Sequence, residues 1–345
     1  MNDPNTNEVL CVGIDLGTSR SSVSVSNGER HMIDSYVGWP VDTVARKLVR
    51  KPVLIGREAL DNRPMLDLRR PLERGVIKEG SEKDEMAVRE LLRHLILLAG
   101  VKQKNKNRPR VRAVVGVPAE ALRVNKQHLR DAMKGITDSL MIVSEPFAVA
   151  YGLEALLHTM VIDIGAGTTD FCVMSGRYPT EHEQRTLTIA GDSIDEQLAR
   201  LIRERHPEAQ FSIHMVREWK EKWSFVGEPK NRVVVTIPVA GKPTEIDITD
   251  EMCSACESIL APIGETMVDL LSRVDPEYQE RVRNNIMLAG GGSLISGLSQ
   301  GLQPALSEVG GGKISAVEDP IFAGSDGGLA IARDAANADW ERLSM

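Results

Sequence analysis

The sequence predicts an α/β protein built from two related domains, and three observations predict it. The stretch "LCVGIDLGTSRSSVSVSNG" recurs further on as "TMVIDIGAGTTDFCVMSG". Asp15, Gly17, Ser19, Val25 and Gly28 of the first copy match Asp163, Gly165, Gly167, Val173 and Gly176 of the second at one constant offset. After each copy, short apolar runs alternate with longer amphipathic ones, the rhythm of strands and helices. Finally, 345 residues, 42% of them hydrophobic, suffice for two medium domains with ample cores.

Each copy of the repeat reads as strand, polar glycine turn, strand, that is, a β-hairpin that ends near a glycine. Residues 30–75 fit the alternation less well and read as a smaller inserted subdomain. "EMAVRELLRHLILLAGV" is an amphipathic helix, and "VRAVVGVP" a buried strand stopped by Pro118. "EALRVNKQHLRDAMKGI" is a second helix, and "SLMIVSEP" a strand that ends at Pro146. The second half repeats the order. "GDSIDEQLARLIRERHP" is a helix with a capping box from Ser193 to Glu196 and a stop at Pro207. Residues 205–247 read as a second insert. In "DITDEMCSACESILAPIGETMVDLLSRV", Met252, Cys256, Ile259, Ile263, Met267 and Leu270 recur at helical spacing and mark a buried face. "NNIMLAGGGSLISGL" is a strand, a glycine turn and a helix start. The domains expected are 8–150 and 151–335, with a tail at 336–345.

Composition removes several function classes. Net charge is −7 and no long basic block appears, so nucleic acid and anionic membranes are poor default partners. The first residues lack the basic and apolar regions of a signal peptide, and nowhere do 18 uncharged apolar residues run together. Four cysteines suit a reduced, cytoplasmic protein. Cys253 and Cys256 form a lone CxxC with no second ligand pair, and no HExxH occurs, so zinc chemistry has no support.

What the hairpin turns offer is phosphate chemistry. Glycines at alternate turn positions let backbone N–H groups converge on an anion without Cβ obstruction. Two such turns on facing domains would hold a polyphosphate from both sides. Asp15 and Asp163, at the strand ends, would hold water around Mg²⁺, and Thr168 and Thr169 add donors. A third cluster, Ala289-Gly290-Gly291-Gly292-Ser293, offers bare backbone to a base or ribose. It lacks the GxGxxG spacing, and no GxxxxGK[ST] occurs, so Rossmann and P-loop assignments fail.

Taken together, "GIDLGTS", "VIDIGAGTTD" and "IMLAGGGSLISGL" resemble the two phosphate motifs and the adenosine motif of the actin, Hsp70 and sugar-kinase superfamily. "SEPFAVAYG" and "DPIFAGSDGGLAIA" resemble its two connecting helices, and all five segments stand in the family order. Within the superfamily the bacterial actins match best. "GWPVDTVARKLVRKPVLIGREAL", "LDLRRPLERGVI" and "WSFVG" resemble the branch that organises magnetosome chains. The resemblance implies an actin-like ATPase fold: two related RNase H-like domains around a nucleotide cleft, with smaller inserted subdomains. It implies an ATPase that binds ATP/ADP and Mg²⁺, assembles head to tail with itself into a cytoplasmic, cytoskeletal filament, and positions magnetosomes through adaptor proteins. Neither nucleic acid nor membrane insertion belongs to it.

The resemblance carries over residue by residue. Asp15 and Asp163 would hold Mg²⁺ through water, with Asp163 also catalytic. The backbones of Leu16, Gly17, Thr18, Ser19 and Arg20, and of Gly165, Ala166, Gly167, Thr168 and Thr169, would hold the phosphates. Gly191, Lys220, Glu221, Gly290, Gly291, Gly292 and Ser293 would line the rest of the nucleotide. Glu145 would orient or activate the attacking water. Arg20 stands where many bacterial actins have a smaller polar residue, and its charge either touches a phosphate or points to solvent. A sugar kinase and a non-polymerising adaptor of the same superfamily are the competing readings.

Overall fold

Both copies of the repeat fold into the same hairpin in the same register. The computed structural model describes residues 9–77, 82–101 and 109–343. In it β1 (Val9–Leu16) runs antiparallel to β2 (Arg20–Val25), with Val12 opposite Val25 and Asp15 opposite Ser22. The alternation of apolar and small residues allows this hairpin to lie buried on both faces. β3 (Arg30–Asp34) extends it. The insert that follows holds β4 (Val37–Pro40), α1 (Thr43–Val49), β5 (Leu54–Ile55), α2 (Arg57–Asp61) and β6 (Leu66–Arg69). Its strands pair in the order β5-β4-β6 around a small core of Tyr36, Leu54, Ala59, Leu60 and Leu66. A two-residue hairpin, β7 (Leu72–Glu73) and β8 (Val76–Ile77), then turns at Arg74 (φ 49°) and Gly75 (φ 73°), both left-handed.

Next come α3 (Glu82–Leu98), β9 (Arg110–Val117), α4 (Arg123–Met133), β10 (Ser139–Ser144) and α5 (Glu145–Gly152). β9 and β10 join β1 in parallel, and the sheet order is β10-β9-β1-β2-β3. Leu91, Leu92, Leu95 and Ile96 of α3 and Leu129 and Met133 of α4 bury their apolar stripes with Val111, Ala113 and Val115 of the sheet.

The second half begins with β11 (Leu157–Ile164) and β12 (Thr169–Ser175), where Met160 faces Val173 and Asp163 faces Asp170. β13 (Gln184–Leu187), α6 (Gly191–Arg205), α7 (Ile213–Trp223), β14 (Val234–Val239) and β15 (Lys242–Asp247) follow. Then come α8 (Thr249–Glu257), α9 (Leu260–Ser272), α10 (Pro276–Arg283), β16 (Ile286–Ala289), α11 (Leu298–Ser307) and β17 (Ile314–Ala316). Sheet order β13-β12-β11-β16-β17 repeats the first sheet strand for strand. α12 (Ala323–Asp334) and α13 (Asn337–Leu343) end the fold.

Contacts divide the chain into one unit of residues 1–156 with 321–345, and a second of residues 157–320. The sequence expectation carried the second domain to 335, yet α12 belongs to the first unit. Small residues account for that. A Cβ on Gly327 would lie 1.8 Å from the Ala148 carbonyl oxygen, and one on Gly13 2.0 Å from that of Ser325. The buried hydroxyls of Ser22 and Ser24 each meet Ser325 Oγ at 3.0 Å, and Ser24 also donates to Asp326.

Four local expectations shift. α6 starts at Gly191, so Ser193 sits inside its first turn, where Oγ accepts the Ala190 N–H at 2.8 Å rather than capping the helix. The run 249–272 is two helices rather than one, although all six marked residues are buried. The expected second insert has no core of its own: Val216, Val235 and Ile237 join the main core of the second unit. What was expected as a tail folds as α13, with Trp340 buried.

Candidate functional site

In the first unit, the residues marked by the sequence gather at the C-terminal ends of β1, β9 and β10. Asp15 pairs with Gly116 and Gly116 with Val143, which brings Asp15 and Glu145 to the same end of the sheet. Glu145 opens α5 and packs against Gly116, where an added Cβ would sit 3.1 Å from Glu145 Cγ. The half-buried Asp15 abuts the start of α12, and a Cβ on Gly324 would lie 3.0 Å from its Oδ2. Between β1 and β2 the turn is braced from outside. Ser35 Oγ donates to the Gly17 carbonyl at 2.7 Å, and the Ser35 N–H to the Ser19 carbonyl at 2.8 Å. Thr18 is buried and held twice: its carbonyl accepts from Arg70 Nε at 2.8 Å, and its Oγ1 accepts from the Gly75 N–H at 3.0 Å. Arg20 is exposed and lies beside Asp34, with Nε 3.6 Å from Oδ1.

The turn of the second unit is tied to α6. Gly165 N–H closes the turn on the Thr168 carbonyl at 2.9 Å. The Gly165 and Ala166 carbonyls in turn accept the N–H groups of Gly191 (3.1 Å) and Asp192 (2.7 Å). Two of the orphan donors that open α6 are thereby satisfied by the turn. Lys220 Nζ donates to the Gly191 carbonyl at 2.6 Å and pairs with the buried Asp195 at 2.7 Å. Asp195 also takes Arg217 Nε at 3.1 Å, and Arg217 reaches Asp192 at 3.1 Å. Asp195 therefore neutralises two largely buried cations, and Lys220 braces the turn. Thr169 Oγ1 donates to the Ile189 carbonyl at 2.8 Å, whereas the Thr168 hydroxyl has no partner among the described residues.

The third cluster packs on the same turn. Gly290 has φ +72°, and a Cβ there would lie 2.2 Å from Asp163 Oδ1 and 2.6 Å from the Ile164 carbonyl oxygen. A Cβ on Gly292 would lie 2.3 Å from Ile164 Cγ2, while one on Gly291 would meet nothing within 4 Å. Two of these glycines are thus required by packing, and Gly291 is the one left open to a ligand. Ser293 Oγ turns inward to the Gly290 carbonyl at 2.7 Å. Asp163, 9% exposed, stands opposite the buried Asp170, whose carboxylate accepts from Thr186 Oγ1 at 2.5 Å. Glu221 is exposed.

The MreB/Mbl protein family matches residues 10–338. The chain belongs to the MreB/Mbl family. Actin-like protein MamK of Paramagnetospirillum magneticum is 40% identical over 97% of the chain and 95% of its own length. Actin-like protein MamK of Magnetospirillum gryphiswaldense is also 40% identical, over 97% of the chain and 92% of its own. Among solved structures, the MamK double helical filament superposes with a TM-score of 0.91 at 40% identity, covering 95% of this chain and all of the other. A non-polymerising MamK mutant bound to AMPPNP superposes with a TM-score of 0.72 over the same shares. The fold of this MreB/Mbl chain is therefore actin-like.

Sequence reasoning missed the supports of this family member's turns. Arg70 and Gly75 lie within "RRPLERG", more than fifty residues from the Thr18 they hold. That motif carried a resemblance but gave no sign of what its arginine touches. Asp195 was hidden in a helix pattern in which an acid reads as a solvent-facing residue. A signal was present, since the position lies one turn from Gly191, Leu198 and Ala199 on the buried side.

Proposed function

We propose that the chain binds ATP with Mg²⁺, hydrolyses it, and assembles with copies of itself into cytoplasmic, cytoskeletal filaments. The observation that carries the reading is the pair of hairpins in identical register, each presenting a glycine turn and an acid at the same strand end. Relatives with 40% identity support it: one solved relative is a filament and another holds AMPPNP. Among the described residues no helix is long and apolar enough to cross a membrane.

The residues present suit Mg²⁺ held through water. Asp15 and Asp163 are kept close to backbone by Gly324 and Gly290, and water-held Mg²⁺ needs carboxylates as acceptors rather than as a closed direct ligand set. Among the described residues no three His, Cys, Asp or Glu converge as such a set. When bound, the ion would offset charge on the phosphates. The chain's own part is positioning. The turn N–H groups and the Thr168 hydroxyl take phosphate oxygens, and Gly291 takes the nucleoside. Glu145 accepts a hydrogen bond from the attacking water and aligns it, which is most of what phosphoryl transfer asks of a protein. Arg20, tied to Asp34, serves the turn rather than the phosphates. We assign Lys220 to the shape of the turn, and the filament to positioning magnetosomes through adaptor proteins.

Glu145→Ala tests the assignment with two assays. ATP binding and assembly should persist, while phosphate release falls by about 10²–10⁴-fold if the carboxylate acts as general base. Filaments should then disassemble more slowly than wild type. Normal phosphate release would remove Glu145 from catalysis, and failure to assemble despite normal ATP affinity would make it structural.

A further inference from the structure

A basic site lies in the first unit, at the other end of the sheet from Asp15 and Glu145. A cavity of about 700 Å³ opens where β9 and β10 begin, and the last turn of α4 and helix α13 complete its walls. Its volume is within the range of specific ligand sites. The lining carries Arg110, Arg112, Arg130 and Lys134 against one acid, Asp138. That acid is engaged locally, accepting the Val111 N–H at 2.7 Å, and Lys134 is paired with Asp131 at 2.5 Å. Among the described residues Arg110 and Arg130 have no carboxylate within ion-pair distance. Arg112 is held, among the described residues, by neutral groups: its Nη2 donates to Asn337 Oδ1 at 2.8 Å, and its guanidinium lies 5.4 Å from the Trp340 ring centroid.

This concentration of positive charge stands against a net charge of −7. In sequence, Arg110 and Arg112 end a short run in which Lys102, Lys104, Lys106, Arg108, Arg110 and Arg112 occupy every second position without an acid among them. Residues 102–108 lie outside the described residues.

We propose that this cavity docks an acidic segment of a partner protein. Spacing supports a peptide. Arg110 and Arg112 project from the same face of β9 about 7 Å apart, and Arg130 and Lys134 stand about 6 Å apart at the end of α4. An extended peptide with carboxylates at alternate positions repeats at about 7 Å, so successive acids meet successive cations. Arginine forks pair bidentately with carboxylates. A lipid surface fits less well, because insertion needs free apolar side chains, and Met133 and Trp340 of the lining are only 2% and 4% exposed. A single nucleic-acid strand would want exposed aromatic faces, and among the described residues the one aromatic of the lining is that buried Trp340. The inference does not rest on the nucleotide reading.

The test uses the full chain and a fluorescein-labelled peptide of alternating glutamate and alanine, followed by anisotropy at low salt. Arg110→Glu and Arg130→Glu should each weaken binding by about 10-fold or more, and Lys230→Glu on the exposed surface of the second unit should change it less than about 2-fold. Arg110→Gln and Arg130→Gln serve should a reversal unfold the unit, and should give a smaller loss in the same order. Raising salt should weaken the wild-type complex, and a glutamine-alanine peptide should not bind. Unchanged affinity in the arginine variants, equal binding of the glutamine peptide, or capture of phosphatidylglycerol vesicles in place of the peptide would each overturn the proposal.

Discussion

Gly290→Ala isolates the packing that sets Asp163. The new methyl would lie 2.2 Å from Asp163 Oδ1, 2.6 Å from the Ile164 carbonyl oxygen and 2.8 Å from the Ile164 carbonyl carbon. Asp163 could swing away, but the Ile164 backbone closes β11 against Thr169 of β12 and cannot yield without moving the strand end and its turn. The left-handed φ of +72° adds about 1 kcal/mol for any residue with a Cβ. Overpacking against backbone adds about 1–3 kcal/mol, so the substitution should cost about 2–4 kcal/mol of stability. Mg²⁺-dependent ATP affinity should fall with it, because the carboxylate is displaced. Gly291→Ala is the matched control: its methyl meets nothing within 4 Å, so stability should stay within about 0.5 kcal/mol. If Gly291 receives the nucleoside, that variant should nevertheless bind ATP more weakly. Urea unfolding and nucleotide titration of the two variants suffice. Wild-type stability in Gly290→Ala would refute the packing argument, and wild-type ATP affinity in Gly291→Ala would remove the third cluster from the site.

Three further outcomes follow from the same geometry. Arg70→Ala removes a charged donor from the Thr18 carbonyl, a bond worth about 1.5–3 kcal/mol, and should lower ATP affinity in a titration while leaving the cores intact. Asp195→Ala strands Lys220 and Arg217 without their shared carboxylate and should cost about 3–5 kcal/mol in urea unfolding; a loss under about 1 kcal/mol would show that other groups carry those charges. Burial pushes the Cys256 thiol up to about 11 and the Cys172 thiol higher still, so in native protein at pH 8 neither should react with iodoacetamide. Because these thiols are neutral in the fold but ionise near about 8.5 when unfolded, their contribution to stability is complete below that pH. It should decline between about 8.5 and 11, a trend that a denaturation series against pH would measure.

The repeat was legible because its two copies obey the same physical demand. A strand end that presents an acid beside a glycine turn constrains Asp15 and Gly17 as it does Asp163 and Gly165, and alternating apolar residues fix the hairpin register. Helix positions were legible from periodicity, although α6 begins two residues before its expected cap because Gly191 and Asp192 bond to the hairpin turn instead of a local side chain. Long-range supports were not legible. Nothing near Thr18 in sequence announces Arg70, and Gly290 and Gly292 read as bare backbone open to a ligand until Ile164 is seen against them. Nor did the sequence show that α12 returns to the first unit, since that depends on glycines that matter only through what they face.

The central claim is that ATP with Mg²⁺ drives this chain to assemble. Sedimentation of the purified protein, with the pellet viewed by negative-stain microscopy, tests it directly. Filaments should appear in the pellet when ATP and Mg²⁺ are both present, and the protein should stay in the supernatant when EDTA removes the metal or nucleotide is omitted. Protein that stays soluble with ATP and Mg²⁺, or that pellets equally with EDTA, would contradict it.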